Sequence, residues 1–294
     1  MRIHPRKIMS AIDFSNFTDT IISYSVALCK KYDAKLFLVH VTNDLNTLLK
    51  HNETALDVEV LQKSNIRYAQ ELFADLAKDL AIENEIIISP GTPADEISRL
   101  ASEQKADMVI TATHGKSGFK RFLLGSVTEK LMKTLHCPLL VLPTQEQEFI
   151  SPTGFEMKLK NILIGCDFSP DSKLAFDYGL SLAQEFQAEL YLSHVIKPSR
   201  YKDQREEISE LRGRLEKQLN DMVPETCREW CTINTALLDG EPCMELMNYA
   251  KTQGIDMIVL GIRGHTLWEK LLVGSTTDRL IRHSLFPVLA VRQI

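Results

Sequence analysis

Two stretches of this chain repeat one another at a spacing too long for a stacked-repeat protein. Residues 7–41, KIMSAIDFSNFTDTIISYSVALCKKYDAKLFLVHV, align without a gap to 161–195, NILIGCDFSPDSKLAFDYGLSLAQEFQAELYLSHV, with 11 of 35 positions identical. Residues 107–142 align to 256–291 with ten of 36 identical. The offset falls from 154 to 149 because the intervening segments differ, 49 residues at 42–90 against 44 at 196–239. Solenoid repeats run about 20–50 residues, whereas a unit of about 150 can bury a core of its own. The 294 residues therefore read as two tandem domains, 1–143 and 158–294, joined by a polar linker over 144–157 that carries Pro152 and Gly154.

Composition narrows the class. Hydrophobic residues at 44% and charged residues at 25% are globular values that exclude a disordered or fibrous chain. A formal charge of −5, from 34 basic and 39 acidic residues, gives no footprint for nucleic acid or an anionic membrane. The longest apolar runs, such as MIVLGI at 257–262, are strand-sized, and MRIHPRKIMSAIDF has no signal-peptide core. Six scattered cysteines without a CxxC pair point to reduced thiols and a cytoplasmic location.

Each half alternates strand and helix. KIMSAI (7–12), KLFLVHV (35–41), NEIIIS (84–89), DMVITAT (107–113) and PLLVLP (138–143) read as strands, with NILIGC, ELYLSHV, CTINTALL, DMIVLGI and PVLAVR at matching places. Several are apolar throughout, as strands covered on both faces are. Residues 15–32, 65–82 and 93–104 have the i, i+3, i+4, i+7 apolar spacing of helices. Strands joined by helical crossovers give a parallel, doubly wound α/β sheet, whose ligands bind beyond the carboxyl ends of the strands.

The segments at those ends carry the chemistry. Asp13-Phe14-Ser15 and Asp167-Phe168-Ser169 follow the first strand of each half, and either cap the next helix or meet a ligand. After the fourth strand the second half reads Gly261-Ile262-Arg263-Gly264, nine residues, then Gly274-Ser275-Thr276; the first reads Ala112-Thr113-His114-Gly115, nine residues, then Gly125-Ser126-Val127. Glycine lets backbone approach a ligand closely, and a helix opening at the serine offers free N–H groups to a phosphate. Ser126-Val127-Thr128-Glu129 is equally a capping box that needs no ligand.

The G-2x-G-9x-G-S spacing, the Asp after the first strand and the His-Val ending the second resemble the universal stress protein family, over nearly the whole chain as two tandem domains. The resemblance implies Rossmann-like domains of five parallel strands in the order 3-2-1-4-5 with helices on both faces. It also implies ATP or AMP, with or without magnesium, over the ends of strands one and four, and pairing of domains or of two chains through the last strand. By position it assigns the nucleotide to Asp167, Val195, Gly261, Arg263, Gly264, Gly274, Ser275 and Thr276, and in the first half to Asp13, Val41, Gly115, Gly125, Ser126 and Val127. Asp and Val would meet adenine; the glycines and serine would hold ribose and phosphates. Ala112 stands where the first glycine is expected and His114 where the second half has Arg263, although Lys116, Lys120 and Arg121 keep that loop basic, so the second half is expected to bind the more tightly. Phe119 and Trp268 read as packing residues.

His40 and His194 lack the partners of an acyl-transfer site and read as packed strand ends. Cys227 and Cys231 have no further ligands for zinc, and 201–218 reads as a solvated helix face with i, i+4 pairs. There is no G-x-x-x-x-G-K-[ST] loop and no HxGH or SGGxDS motif. The expected function is an adenine-nucleotide-binding regulator of stress response, catalysing at most slow ATP hydrolysis. The alternative is a ligand-free pseudo-dimeric interaction scaffold.

Overall fold

Ile8 and Met9 project from opposite faces of their strand, and neither has any solvent exposure. That strand, β1 (Lys7–Ala11), is therefore covered above and below, and so are the middles of β2 (Lys35–Thr42) and β4 (Met108–Ala112). The computed structural model describes residues 3–42, 55–78, 80–113, 124–143, 157–197, 205–264 and 273–293. The chain falls into two units, one built mainly on Pro5–Leu139 and the other on Glu156–Ile294.

The first copy continues through α1 (Thr18–Tyr32), α2 (Ala55–Ala77), β3 (Asn84–Pro90), α3 (Pro93–Gln104), α4 (Ser126–Thr134) and β5 (Leu139–Leu142). Its strands lie in the order β3-β2-β1-β4-β5. The second copy has β6 (Asn161–Gly165), α5 (Pro170–Phe186), β7 (Glu189–Ile196), α6 (Arg205–Asp221), α7 (Glu225–Arg228), β8 (Ile233–Asp239), α8 (Pro242–Thr252), β9 (Met257–Gly261), α9 (Ser275–His283) and β10 (Val288–Val291). Its order is β8-β7-β6-β9-β10. Both are the expected 3-2-1-4-5. The β1–β2, β1–β4 and β2–β3 ladders are parallel, as are β6–β7, β6–β9, β7–β8 and β9–β10. Crossovers between parallel strands are right-handed as a rule, so running outward from the first strand and then reversing places helices on both faces. The reversal opens a crevice at the carboxyl ends of β6 and β9.

The strand expectations hold to within a residue or two. The helix expected over 65–82 instead runs Ala55–Ala77, because Val58, Ala69 and Phe73 lie on one stripe and are all buried. The six cysteines are free; burial pushes the Cys29 thiol up to about 12 and Cys231 up to about 11, so both stay protonated and inert. Among the described residues, no helix is long and apolar enough to cross a membrane, and no group of three or more His, Cys, Asp or Glu could hold a metal ion.

Candidate functional site

The turn from β6 into α5 is fixed by its own polar side chains. Asp167 Oδ1 accepts the Ser169 N–H at 3.0 Å, and Ser169 Oγ accepts the Ser172 N–H at 3.2 Å, so Ser169 is the helix cap. Ser169 Oγ also donates to the Arg263 carbonyl at 3.2 Å, which ties this turn to the loop after β9. The capping reading thus holds for the second copy. In the first, Ser15 takes only a 3.4 Å bond from the Phe17 N–H, and Phe17 is the cap position with no capping side chain.

Between Asp and Ser stands an aromatic residue in the left-handed region, Phe168 at φ 64° and Phe14 at φ 56°. Such a conformation costs a non-glycine residue about 1–2 kcal/mol. It turns Phe168 onto the His194 ring, 4.8 Å between centroids, and Phe14 onto His40 at 4.7 Å and Phe73 at 4.9 Å. Each histidine is held from the other side by Nδ1, 2.7 Å from the carbonyl of Cys166 or Ile12. Burial lowers the His194 pKa, against the opposing pull of that carbonyl and of Asp167. Both histidines are packed strand ends, as expected. The strained phenylalanine left no trace in the sequence beyond recurring twice.

Gly261 closes β9 against the first turn of α5: a β-carbon there would stand 2.7 Å from the Asp171 carbonyl carbon and 2.8 Å from the Ser172 nitrogen. Arg263, which the family pattern assigns to nucleotide, is paired with Asp171. Its backbone N–H and Nε both reach Asp171 Oδ2 at 3.0 Å, and Nη2 reaches Oδ1 at 3.1 Å. Gly264 comes back over Asp167, its virtual β-carbon 2.6 Å from Oδ2.

Gly274 accepts the first intrahelical bond of α9, from the Asp278 N–H at 2.9 Å, and its own N–H donates to the Ile262 carbonyl at 2.7 Å. It is the helix cap, and it supplies no side chain to the first-turn amides. Gly125 does the same for α4, accepting from Glu129 at 3.0 Å and donating to Thr113 at 2.8 Å. The capping box at Ser126 therefore does not form: Ser126 is the first helical residue, and the glycine before it has taken the cap position. Thr277 and Thr128 brace the two helices, donating to the carbonyls of Gly261 (2.7 Å) and Ala112 (2.8 Å).

A cavity of about 510 Å³ lies between these pieces, and all eight second-copy residues carried over from the family pattern line it: Asp167, Val195, Gly261, Arg263, Gly264, Gly274, Ser275 and Thr276. The volume is in the range of small-molecule sites. Leu211 and Leu215 of α6 add an apolar wall, and Lys197 a cation. The solvated-helix reading of 201–218 missed that wall, although Leu211, Leu215 and Leu219 stand four apart and Leu219 is buried. Arg212 of this helix reaches across to Asp239 at 2.6 and 2.7 Å. Asp171 was also missed, because its partners are 92 and 122 residues away in sequence.

In the first copy Asp13 holds the Ser15 N–H at 3.0 Å, Val41 is half-buried one residue before the end of β2, and Gly125, Ser126 and Val127 form the start of α4. Ala112 is buried. Gly115 lies outside the described residues, as do His114, Lys116, Phe119, Lys120, Arg121 and Trp268.

Residues 4–143 and 158–292 each match the model of the universal stress protein family. A universal stress protein of Methanocaldococcus jannaschii is 28% identical over 144 residues, 49% of this chain and 85% of that one. A Staphylococcus aureus protein named for the same family is 30% identical over 166 residues, 53% of this chain and 98% of that one. The crystal structure of a universal stress protein from Archaeoglobus fulgidus is similar over 99% of both chains, with a TM-score of 0.73 at 19% identity, a likeness of fold.

Proposed function

The chain belongs to the universal stress protein family, as two tandem domains, and from that membership we propose that its second domain is a receptor for an adenine nucleotide, ATP or AMP. One observation carries the reading: the cavity ends on the N-terminus of α9, whose cap is a glycine that leaves the first-turn amides without a side-chain acceptor. Such a helix end carries a partial positive charge and unpaired N–H groups, which suit a phosphate. The cavity also presents Asp167, Val195 and the leucines of α6, a carboxylate and an apolar wall suited to a base. Gly264, Gly274, Ser275 and Thr276 would hold the ribose and phosphates, with any magnesium arriving on the nucleotide.

The domain is a binding module in this reading. His194 spends Nδ1 on a backbone carbonyl, and hydrolysis, where it occurs, is slow. Regulation follows from differential binding, since a ligand shifts a conformational or partner equilibrium only as far as it prefers one state.

Isothermal titration of the full-length chain with ATP and with AMP tests the proposal. One site per chain is expected, lost in Asp167→Asn and kept in Asp13→Asn, because the first copy has Ala112 in place of the glycine. Binding stabilises the native state by about 2.7 kcal/mol at a hundredfold excess over Kd, so a thermal shift must accompany it. Neither heat nor shift at millimolar nucleotide leaves the chain a ligand-free scaffold. Sedimentation with and without nucleotide reads whether two chains associate.

A further inference from the structure

Asp171 is only 3% exposed, yet its carboxylate is fully used. Oδ2 accepts the Arg263 N–H and Nε at 3.0 Å; Oδ1 accepts Arg263 Nη2 at 3.1 Å and the Gln293 N–H at 2.9 Å. The Arg263 guanidinium also donates to the Gln293 carbonyl. One buried carboxylate thus clasps the first turn of α5, the loop after β9 and the segment after β10. Gly261 belongs to the same device, since any side chain there would strike the backbone of Asp171 and Ser172. The three residues are replaced together in the first copy, where alignment puts Phe17, Ala112 and His114 at the positions of Asp171, Gly261 and Arg263.

We infer that Asp171 is a positioning residue for the nucleotide loop, and that Arg263 acts through it, as a strut rather than as a ligand of the phosphates. The inference rests on the proposed nucleotide site. Its physical basis is geometric. A bidentate Arg–carboxylate pair fixes orientation as well as distance, and Arg263 is covalently joined to Gly264, which lies over Asp167. With the clasp closed, the Gly264 segment is held beside the cavity before ligand arrives, and binding need not order it. The clasp takes Nε–H and both Nη2 donors of the guanidinium, leaving only the Nη1 pair, so Arg263 cannot present its bidentate fork to a phosphate without breaking the clasp.

The two roles of Arg263 predict opposite signs. Full-length wild type, Asp171→Asn, Arg263→Gln, Arg263→Lys and the Asp171→Asn/Arg263→Gln double variant are titrated with ATP and with adenosine, with melting curves alongside. Asp171→Asn and Arg263→Gln are expected to weaken both ligands by the same factor, about tenfold. The double variant is expected to be no weaker than either single one, because contacting residues do not add. Arg263→Lys, which keeps a cation against Asp171 but loses the bidentate fork, is expected to recover only part of the loss. Tighter ATP binding in Asp171→Asn would show a caged phosphate ligand and overturn the inference. So would an Arg263→Gln loss confined to ATP, or no change in either variant. Should Asp171→Asn not fold, the Arg263 variants decide alone, since Asp171 there keeps its two backbone donors. Wild type binding neither ligand would sink the nucleotide proposal itself, a result distinct from wild type binding and the variants binding equally well.

Discussion

A β-carbon on Gly264 would stand 2.6 Å from Asp167 Oδ2, so the second glycine of the loop and the aspartate after β6 meet at one spot from opposite ends of the second domain. Gly261, three residues earlier, faces backbone instead, with the Asp171 carbonyl carbon 2.7 Å from its virtual β-carbon. The two glycines should fail differently. Gly264→Ala can be relieved by swinging the Asp167 carboxylate aside, so stability stays within about 1 kcal/mol while nucleotide affinity falls more than about tenfold. Gly261→Ala meets atoms that cannot move alone and is expected to destabilise by about 1–3 kcal/mol. Urea unfolding and isothermal titration on the two variants separate these outcomes.

Gly274→Asp places a carboxylate at the cap of α9, where its virtual β-carbon is 3.1 Å from the Ile262 carbonyl oxygen, tight but short of a clash. An N-cap aspartate differs from glycine by only a few tenths of a kcal/mol in helix stability. It would nevertheless occupy the amides and repel an anion, so ATP affinity is expected to drop about a hundredfold, about 2.7 kcal/mol. Thermal melting without ligand should barely move. Undiminished ATP binding would remove α9 from the site.

The serines after the first strands are not equivalent. Ser169 caps α5 through the Ser172 N–H and also donates to the Arg263 carbonyl, while Ser15 makes one 3.4 Å bond outside the cap position. Ser169→Ala is expected to cost about 1 kcal/mol and Ser15→Ala less than about 0.5. Urea midpoints measured side by side check the difference.

Burial lowers the pKa of His194 in the folded chain below its ordinary value of about 6.5. Above that value the ring is neutral in both states. As pH falls below it the unfolded chain takes up the proton first, so stability declines until the folded-state pKa is reached, and no further. His194→Asn, whose amide can donate to the Cys166 carbonyl in place of Nδ1, should show a shallower loss of urea midpoint between about pH 7 and about pH 5. Equal slopes would mean that the ring is hydrated in the native state.

Much of this molecule was legible in the residue order. Doubly apolar strands such as KLFLVHV can be buried only in a sheet covered on both faces, and strand–helix alternation written twice fixes two parallel, doubly wound halves. The glycine–serine unit after the fourth strand marked the cavity lining, because only small residues let backbone approach so closely. Leu211 and Leu215 were hidden by the charges around them, although their spacing was there to read.

Tertiary structure alone decided how those residues are used. Ser126 reads as a capping residue in sequence, but Gly125 takes that position because its own N–H is anchored to the Thr113 carbonyl across the strand end. Arg263 is assigned to the nucleotide site by the family pattern alone, and folding brings Asp171 and Gln293 to it from 92 and 30 residues away. Local order along a chain sets which backbone shapes are accessible; which charge meets which is set by crossovers that join distant strand ends, and no short-range pattern records that encounter.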